Sequence, residues 1–136
     1  MKLSELNVVI VDDSILKAMD IRKALEFCGV RNIAVVRSQD RVWDEIDKGN
    51  ANGKKVGLII TDMHYPLVTG GDADEEAGFK LIERMKAEGL DIPVIICSSR
   101  NYTVPEILGC VWYSELNDIE YEFQEVLLRY MANYKE

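Results

Sequence analysis

Short apolar runs alternate with amphipathic stretches along the whole chain. Residues 7–11 read Asn-Val-Val-Ile-Val and stop at Asp12. A β-branched run without polar alternation predicts a strand buried on both faces. Residues 32–36, 56–61, 92–97 and 110–113 repeat the pattern, so five strands are expected. Pro93 falls at the start of the fourth, where a missing donor is tolerated. Between the strands the spacing changes to that of helices. Residues 14–27 carry Ile15, Met19, Ile21, Leu25 and Phe27 among polar residues and meet a stop at Gly29. A second helix, capped by Ser38 or Asp40, runs through Val42, Trp43 and Ile46 to near Gly49. Residues 50–53 form a turn. Phe79, Leu81, Ile82 and Met85 mark a third helix ending at Gly89, and residues 118–134 form the last, with Ile119, Phe123, Val126, Leu127 and Tyr130. Both tryptophans fall at amphipathic positions and read as packing residues, with Trp112 beside Tyr113 as a candidate contact surface.

Strand–helix alternation of this kind predicts an α/β fold with a parallel sheet and helices on both faces. At 136 residues the chain suits one domain over 1–136. It can bury roughly two-thirds of its unfolded surface. No repeat, linker or low-complexity tract interrupts it.

Charge narrows the choice of partner. Sixteen basic against twenty-four acidic residues give a net charge of −8. Such a balance argues against direct nucleic-acid binding, which needs a basic footprint. It suits a cation or a basic partner surface. The three cysteines, Cys28, Cys97 and Cys110, form no CxxC pair and read as small apolar residues in a reducing compartment. No signal peptide or membrane span is evident, so a cytoplasmic location is expected.

In an open parallel sheet, ligands bind beyond the carboxyl ends of the strands. Asp12, Asp13, Asp62 and Ser98 all follow strands there. If the first and third strands are neighbours, the three aspartates meet. Clustered carboxylates repel and are costly to bury, and a divalent cation relieves both problems. Oxygen ligands favour Mg²⁺ or Mn²⁺. The competing reading is three solvated acids at strand ends.

The segments Val9-Ile10-Val11-Asp12-Asp13-Ser14, Ile60-Thr61-Asp62-Met63-His64-Tyr65-Pro66 and Pro93-Val94-Ile95-Ile96-Cys97-Ser98-Ser99 occur in that order. Together they resemble the receiver domain of bacterial two-component response regulators, over nearly the whole chain. The resemblance implies a flavodoxin-like, doubly wound five-stranded parallel sheet of order 2-1-3-4-5. It implies Asp62 as phosphoacceptor, and Asp12 and Asp13 as the acidic pair that organises Mg²⁺ (or Mn²⁺) with Asp62 and the backbone carbonyl of His64. Ser98 matches the hydroxyl that meets the phosphoryl group, and Tyr113 the switch aromatic. The function it implies is that of a stand-alone phosphorelay signalling protein, not an enzyme acting on a separate substrate. Its partners would be a sensor histidine kinase or phosphotransfer protein and a downstream protein target. Membrane and nucleic acid are not expected as partners, and a homodimer is compatible. The alternative is a pseudo-receiver, a constitutive interaction module that is never phosphorylated.

Three departures bear on that choice. The family's lysine after the fifth strand is missing: Leu116 falls at its position, and no Lys or Arg lies between Arg100 and Arg129. Three readings stay open: phosphorylation with altered switching, no phosphorylation, or replacement of the lysine by Arg100. The loop after Pro66 is longer than the family's, with an insert over residues 67–77 that reads as a flexible insertion or as a lid over Asp62. Its acids lack a full calcium-loop pattern. Few residues separate Ser98 from Gly109, so the fourth helix of the family is expected to be very short or irregular. His64, the sole histidine, reads as solvent-facing, with an influence on water access as the alternative.

Overall fold

The structure is a computed structural model and describes residues 2–133. A 3-10 turn, Leu3–Glu5, leads into β1 (Asn7–Val11). Then follow α1 (Ile15–Phe27), β2 (Asn32–Val36), α2 (Gln39–Asn52) and β3 (Leu58–Thr61). Two short strands, β4 (Tyr65–Pro66) and β5 (Ala73–Asp74), precede α3 (Ala77–Ala87). The chain continues through β6 (Val94–Ser98), β7 (Gly109–Trp112) and α4 (Ile119–Asn133). The expected last residue of the final helix, Tyr134, lies outside the described residues.

The main sheet has the order β2-β1-β3-β6-β7 and every pair in it is parallel. Counting only its own strands, this is the 2-1-3-4-5 order of a flavodoxin-like sheet. Alternate residues of each strand enter opposite layers, as the pleat requires. Val8, Ile10, Leu58, Ile60, Ile95 and Cys97 pack against α1 and α4. Val9, Val11, Ile59, Val94 and Ile96 pack against α2 and α3. The central strands are buried on both faces, which is why their sequences are unbroken apolar runs.

The α1 face differs from the sequence pattern. Ile15, Met19 and Phe27 are exposed, whereas Lys17, Ala18, Ile21, Ala24 and Leu25 are buried. The small alanines let the helix lie close to the sheet, so the stripe that packs is rotated away from its bulkier residues. Ser14 caps the helix, its hydroxyl accepting from the Lys17 N–H at 3.3 Å.

Two loops decide how the sheet's carboxyl edge is furnished. The insert over residues 67–77 is ordered. It folds back so that β4 and β5 pair antiparallel, Tyr65 opposite Asp74 and Pro66 opposite Ala73. Thr69 is tied to α2 through the Asp40 carboxylate, which accepts from the Thr69 N–H at 3.0 Å and its hydroxyl at 2.8 Å. Between β6 and β7, residues 99–108 contain no helix. Four helices therefore cover the described part of the sheet, and the irregular form expected of the fourth connection is the one observed.

Candidate functional site

The parallel register fixes the site before any side chain is placed. Val11 pairs with Thr61, and Thr61 with Ile96. The residues just beyond, Asp12, Asp62 and then Ser98, emerge along one edge of the sheet. The Asp12 N–H donates to Val36 O at 3.1 Å and the Asp62 N–H to Val11 O at 3.0 Å, continuing the ladder one step past the strands. Asp12, Asp13 and Asp62 each offer a carboxylate oxygen, and these oxygens lie within 4.8 Å of one another. The three acids expected to meet do meet.

Asp12 is buried, 1% exposed. Its Oδ1 accepts from the Ser14 N–H at 2.9 Å. Its Oδ2 is buried and faces the Lys17 ammonium. Burial raises the Asp12 carboxyl above its ordinary pKa; Lys17 and the Ser14 N–H oppose the rise, and Asp62 adds to it. Asp62 is half-buried, and its Oδ1 accepts from the Met63 N–H at 2.7 Å. Behind it Gly78 is pressed close: a Cβ there would lie 2.7 Å from Asp62 O and 3.2 Å from Met63 Sδ.

The residue that the sequence did not single out is Lys17. Its Nζ lies 3.0 Å from Asp12 Oδ2, 3.0 Å from Asp62 Oδ1, and donates to Cys97 O at 2.7 Å. It is 7% exposed. Burial alone would favour the neutral amine, but Asp12 and then Asp62 outweigh it, so the pKa is held above the ordinary lysine value. The signal was available in the spacing. Lys17 falls at i−4 from Ile21 and i−7 from Ala24 on the stripe that packs. Helical side chains lean toward the N-terminus, so a lysine in the first turn leans toward the strand ends.

The other expected residues are placed as follows. Ser98 is buried at 2% exposure, and its Oγ accepts from the Arg100 N–H at 3.3 Å. That leaves the Ser98 proton available to an acceptor at the strand ends. Arg100 itself is exposed, and the cation in contact with Asp12 and Asp62 is Lys17 instead. His64 is exposed. Tyr113 lies one residue past β7; its N–H donates to Ser98 O at 2.8 Å and its hydroxyl to Asp20 Oδ2 at 2.6 Å. That bond to Asp20, with burial, pushes the Tyr113 hydroxyl up to about 12. Its ring centroid is 5.5 Å from Lys17 Nζ, a cation–π distance. Trp112 and Trp43 are held by packing neighbours: Trp112 Nε1 donates to Ser99 O, and the Arg84 guanidinium lies 4.0 Å from the Trp43 ring centroid.

The pocket fits a hard divalent cation. Three carboxylates against one ammonium leave two negative charges, with Lys17 facing Asp12 Oδ2 and Asp62 Oδ1. Carboxylate oxygens clustered within 4.8 Å suit Mg²⁺ or Mn²⁺. Asp12, Asp13 and Asp62 would hold it.

No protein-family model matches the sequence, and no curated protein matches it. Solved structures do. The isolated REC domain of RcsB from Salmonella enterica serovar Typhimurium, in the presence of phosphomimetic BeF3−, superposes with a TM-score of 0.70 at 21% identity. That match covers 96% of this chain and 91% of that one. The Mn²⁺-bound response regulator Rcp1 gives 0.68 at 14% identity, with 96% and 97% covered. A signal receiver domain of an HD domain-containing protein from Pseudomonas fluorescens Pf-5 gives 0.67 at 14%, with 93% and 94% covered. The longer RcsB chains, some bound to DNA, are matched over 61% to 67% of their length. At these identities the likeness speaks for architecture. The chain has the fold of response-regulator receiver domains.

Proposed function

We propose that this protein receives a phosphoryl group on Asp62 and signals through protein–protein contacts, with Mg²⁺ or Mn²⁺ held by Asp12, Asp13 and Asp62. The observation that carries the reading is the convergence of three carboxylates within 4.8 Å at the carboxyl edge of a receiver-type sheet. A phosphomimetic BeF3− in the RcsB structure and Mn²⁺ in the Rcp1 structure agree with it.

The chemistry follows from the parts. An Asp62 oxygen attacks phosphorus and the O–P bond forms. The P–N bond of a partner's phosphohistidine breaks, its electron pair returning to the imidazole nitrogen, which takes up a proton. Such transfer needs mainly in-line positioning and charge neutralisation. A cation held by Asp12, Asp13 and Asp62 would supply a clamp for anionic oxygens. Asp62 is oriented for its part by the Met63 N–H and by Gly78 behind its carbonyl. Ser98 stands on the neighbouring strand end to donate to a phosphoryl oxygen. The protein is thus its own phosphoacceptor rather than an enzyme with a separate substrate. Its donor would be a histidine kinase or phosphotransfer protein, and its output a protein target or a second copy. The net charge of −8 keeps direct nucleic-acid contact out of this reading. Among the described residues no helix is long and apolar enough to cross a membrane; a cytoplasmic site of action is part of the proposal.

A second reading has its own observation. Lys17 already pairs with Asp62, occupying the carboxylate that a phosphoacceptor would use. In that pseudo-receiver the pocket is a structural ion cluster and partner binding ignores Asp62. The two separate on one experiment. With an acyl phosphate donor and Mg²⁺, intact mass is expected to show one added phosphoryl group on the wild type and none on Asp62→Asn. A wild type that gains no mass under those conditions defeats the phosphoacceptor reading.

A further inference from the structure

We propose that Lys17 is the side-chain cation that meets the phosphoryl group at Asp62, supplied from the first turn of α1. This rests on the phosphoacceptor reading and adds the residue that reading lacks, because the usual lysine beyond the fifth strand is Leu116 here.

Four observations carry it. First, Lys17 Nζ is 3.0 Å from Asp62 Oδ1, so it stands beside the nucleophilic carboxylate itself. Second, it is held in place from three strands: Asp12 after β1, Asp62 after β3, and the Cys97 carbonyl on β6. A lysine ammonium has three donors, and these acceptors match them in number. A long, flexible side chain is thereby fixed before any anion arrives, which is the condition for electrostatic stabilisation without reorganisation. Third, Lys17 is the one buried cation among the described residues. A buried charge is costly unless it is paired, so its place in the apolar stripe of α1 needs the pocket to compensate it. Fourth, the other nearby cations are engaged elsewhere or remote. Arg37 is exposed and reaches the Asp13 backbone carbonyl at 3.4 Å, and Arg100 is exposed.

When an Asp62 oxygen bonds to phosphorus, the carboxylate gives up part of its negative charge to the phosphoryl oxygens one bond away. The ammonium that faced Asp62 Oδ1 then faces those oxygens without leaving Asp12 or Cys97. Lys17 acts as a point charge and keeps its proton. With acetyl phosphate as donor, the donor's P–O bond breaks and its electron pair leaves on acetate, so no proton from Lys17 is needed.

The test uses the full chain as wild type, Lys17→Met, Lys17→Arg and Asp62→Asn. Each is given acetyl phosphate and Mg²⁺ and followed by intact mass. Each is also titrated with Mn²⁺ alone, read by tryptophan fluorescence. The inference expects Lys17→Met to slow phosphoryl uptake by about a hundredfold or more, the scale of losing one preorganised donor. Lys17→Arg, which keeps the charge, should retain more uptake than Lys17→Met. Lys17→Met should still bind Mn²⁺ at least as tightly as wild type, because a competing positive charge has been removed. Uptake in Lys17→Met at the wild-type rate overturns the inference and leaves the phosphoacceptor reading standing. Joint loss of Mn²⁺ binding and uptake in Lys17→Met also overturns it, because Lys17 would then be holding the pocket together. So does equal loss in Lys17→Met and Lys17→Arg, because charge would not be what matters. No uptake in wild type overturns the phosphoacceptor reading and this inference with it.

Discussion

Gly78 has no room for a side chain. A Cβ would stand 2.7 Å from the carbonyl oxygen of Asp62 and 3.3 Å from Met63 Cα, both backbone atoms that cannot swing aside. The start of α3 therefore abuts the back of the candidate nucleophile. Gly78→Ala should force α3 and Asp62 apart and cost about 1–3 kcal/mol, the usual range for overpacking. Urea denaturation would show it as a lower midpoint at unchanged slope; an unchanged midpoint would mean that α3 shifts freely. The same scale explains what the sequence revealed. Asp12, Asp13 and Asp62 were legible because each ends an apolar run, and strand ends in a parallel sheet share one edge. Lys17 was not. It sits among exposed Ile15, Leu16 and Met19, and an apolar count gives those residues the buried face. Only the close approach of α1, allowed by Ala18 and Ala24, turns Lys17 inward. The cation beside Asp62 comes from α1, far in sequence from the fifth strand, because charge acts through space.

At the scale of elements, the Asp40 carboxylate is the hub that ties the insert between β4 and α3 to α2, beside the Asp40 N–H bond to Leu67 O and the Arg41 Nε bond to Thr69 Oγ1. Asp40 accepts from the Arg41 N–H at 3.0 Å, from the Thr69 N–H and hydroxyl, and from the Ser38 hydroxyl. Its slight burial would raise its pKa, but the bonds from Ser38, Thr69 and Arg41 prevail and hold it at about 2. A carboxyl depressed in the fold stabilises it above the unfolded value of about 3.9, and that stabilisation is lost as pH falls through the folded value. The insert should therefore loosen between about pH 4 and pH 2. Asp40→Ala should loosen it already at neutral pH. Amide hydrogen exchange at Thr69 and Gly71 is the measurement, since the Thr69 N–H donates to Asp40 and the Gly71 N–H to Val68 O in the adjoining turn. Exchange at those amides that ignores both acid and Asp40→Ala would mean the β4–β5 pairing alone orders the loop. Sequence composition, rich in glycine and acids, pointed to a flexible loop; the Asp40–Thr69 link joins residues far apart in the chain and leaves no local signature. The irregular stretch before β7 was legible because it is a matter of length: ten residues cannot hold a full helix and two turns.

For the whole molecule, the three-layer arrangement was readable because buried parallel strands and amphipathic helices have different periods. The electrostatic consequence is less local. A chain of net charge −8 folds around a pocket that keeps two uncompensated negative charges after Lys17 is counted. Repulsion there opposes folding, and a divalent ion bound at the pocket would relieve it. Binding to the folded state alone stabilises it by RT ln(1 + [L]/Kd), about 2.7 kcal/mol at a hundredfold excess over Kd. For a domain of this size that corresponds to roughly 9 °C in Tm. Thermal unfolding in chelator, then in Mg²⁺ or Mn²⁺, should show such a rise. Asp12→Asn should shrink the rise, because it removes one of the three carboxylates that would hold the ion. General screening by salt would also relieve the negative surface, so the chelator arm must be matched in ionic strength with NaCl. A rise of equal size in matched NaCl, or one that survives Asp12→Asn undiminished, would locate the effect on the acidic surface and remove the pocket as its source.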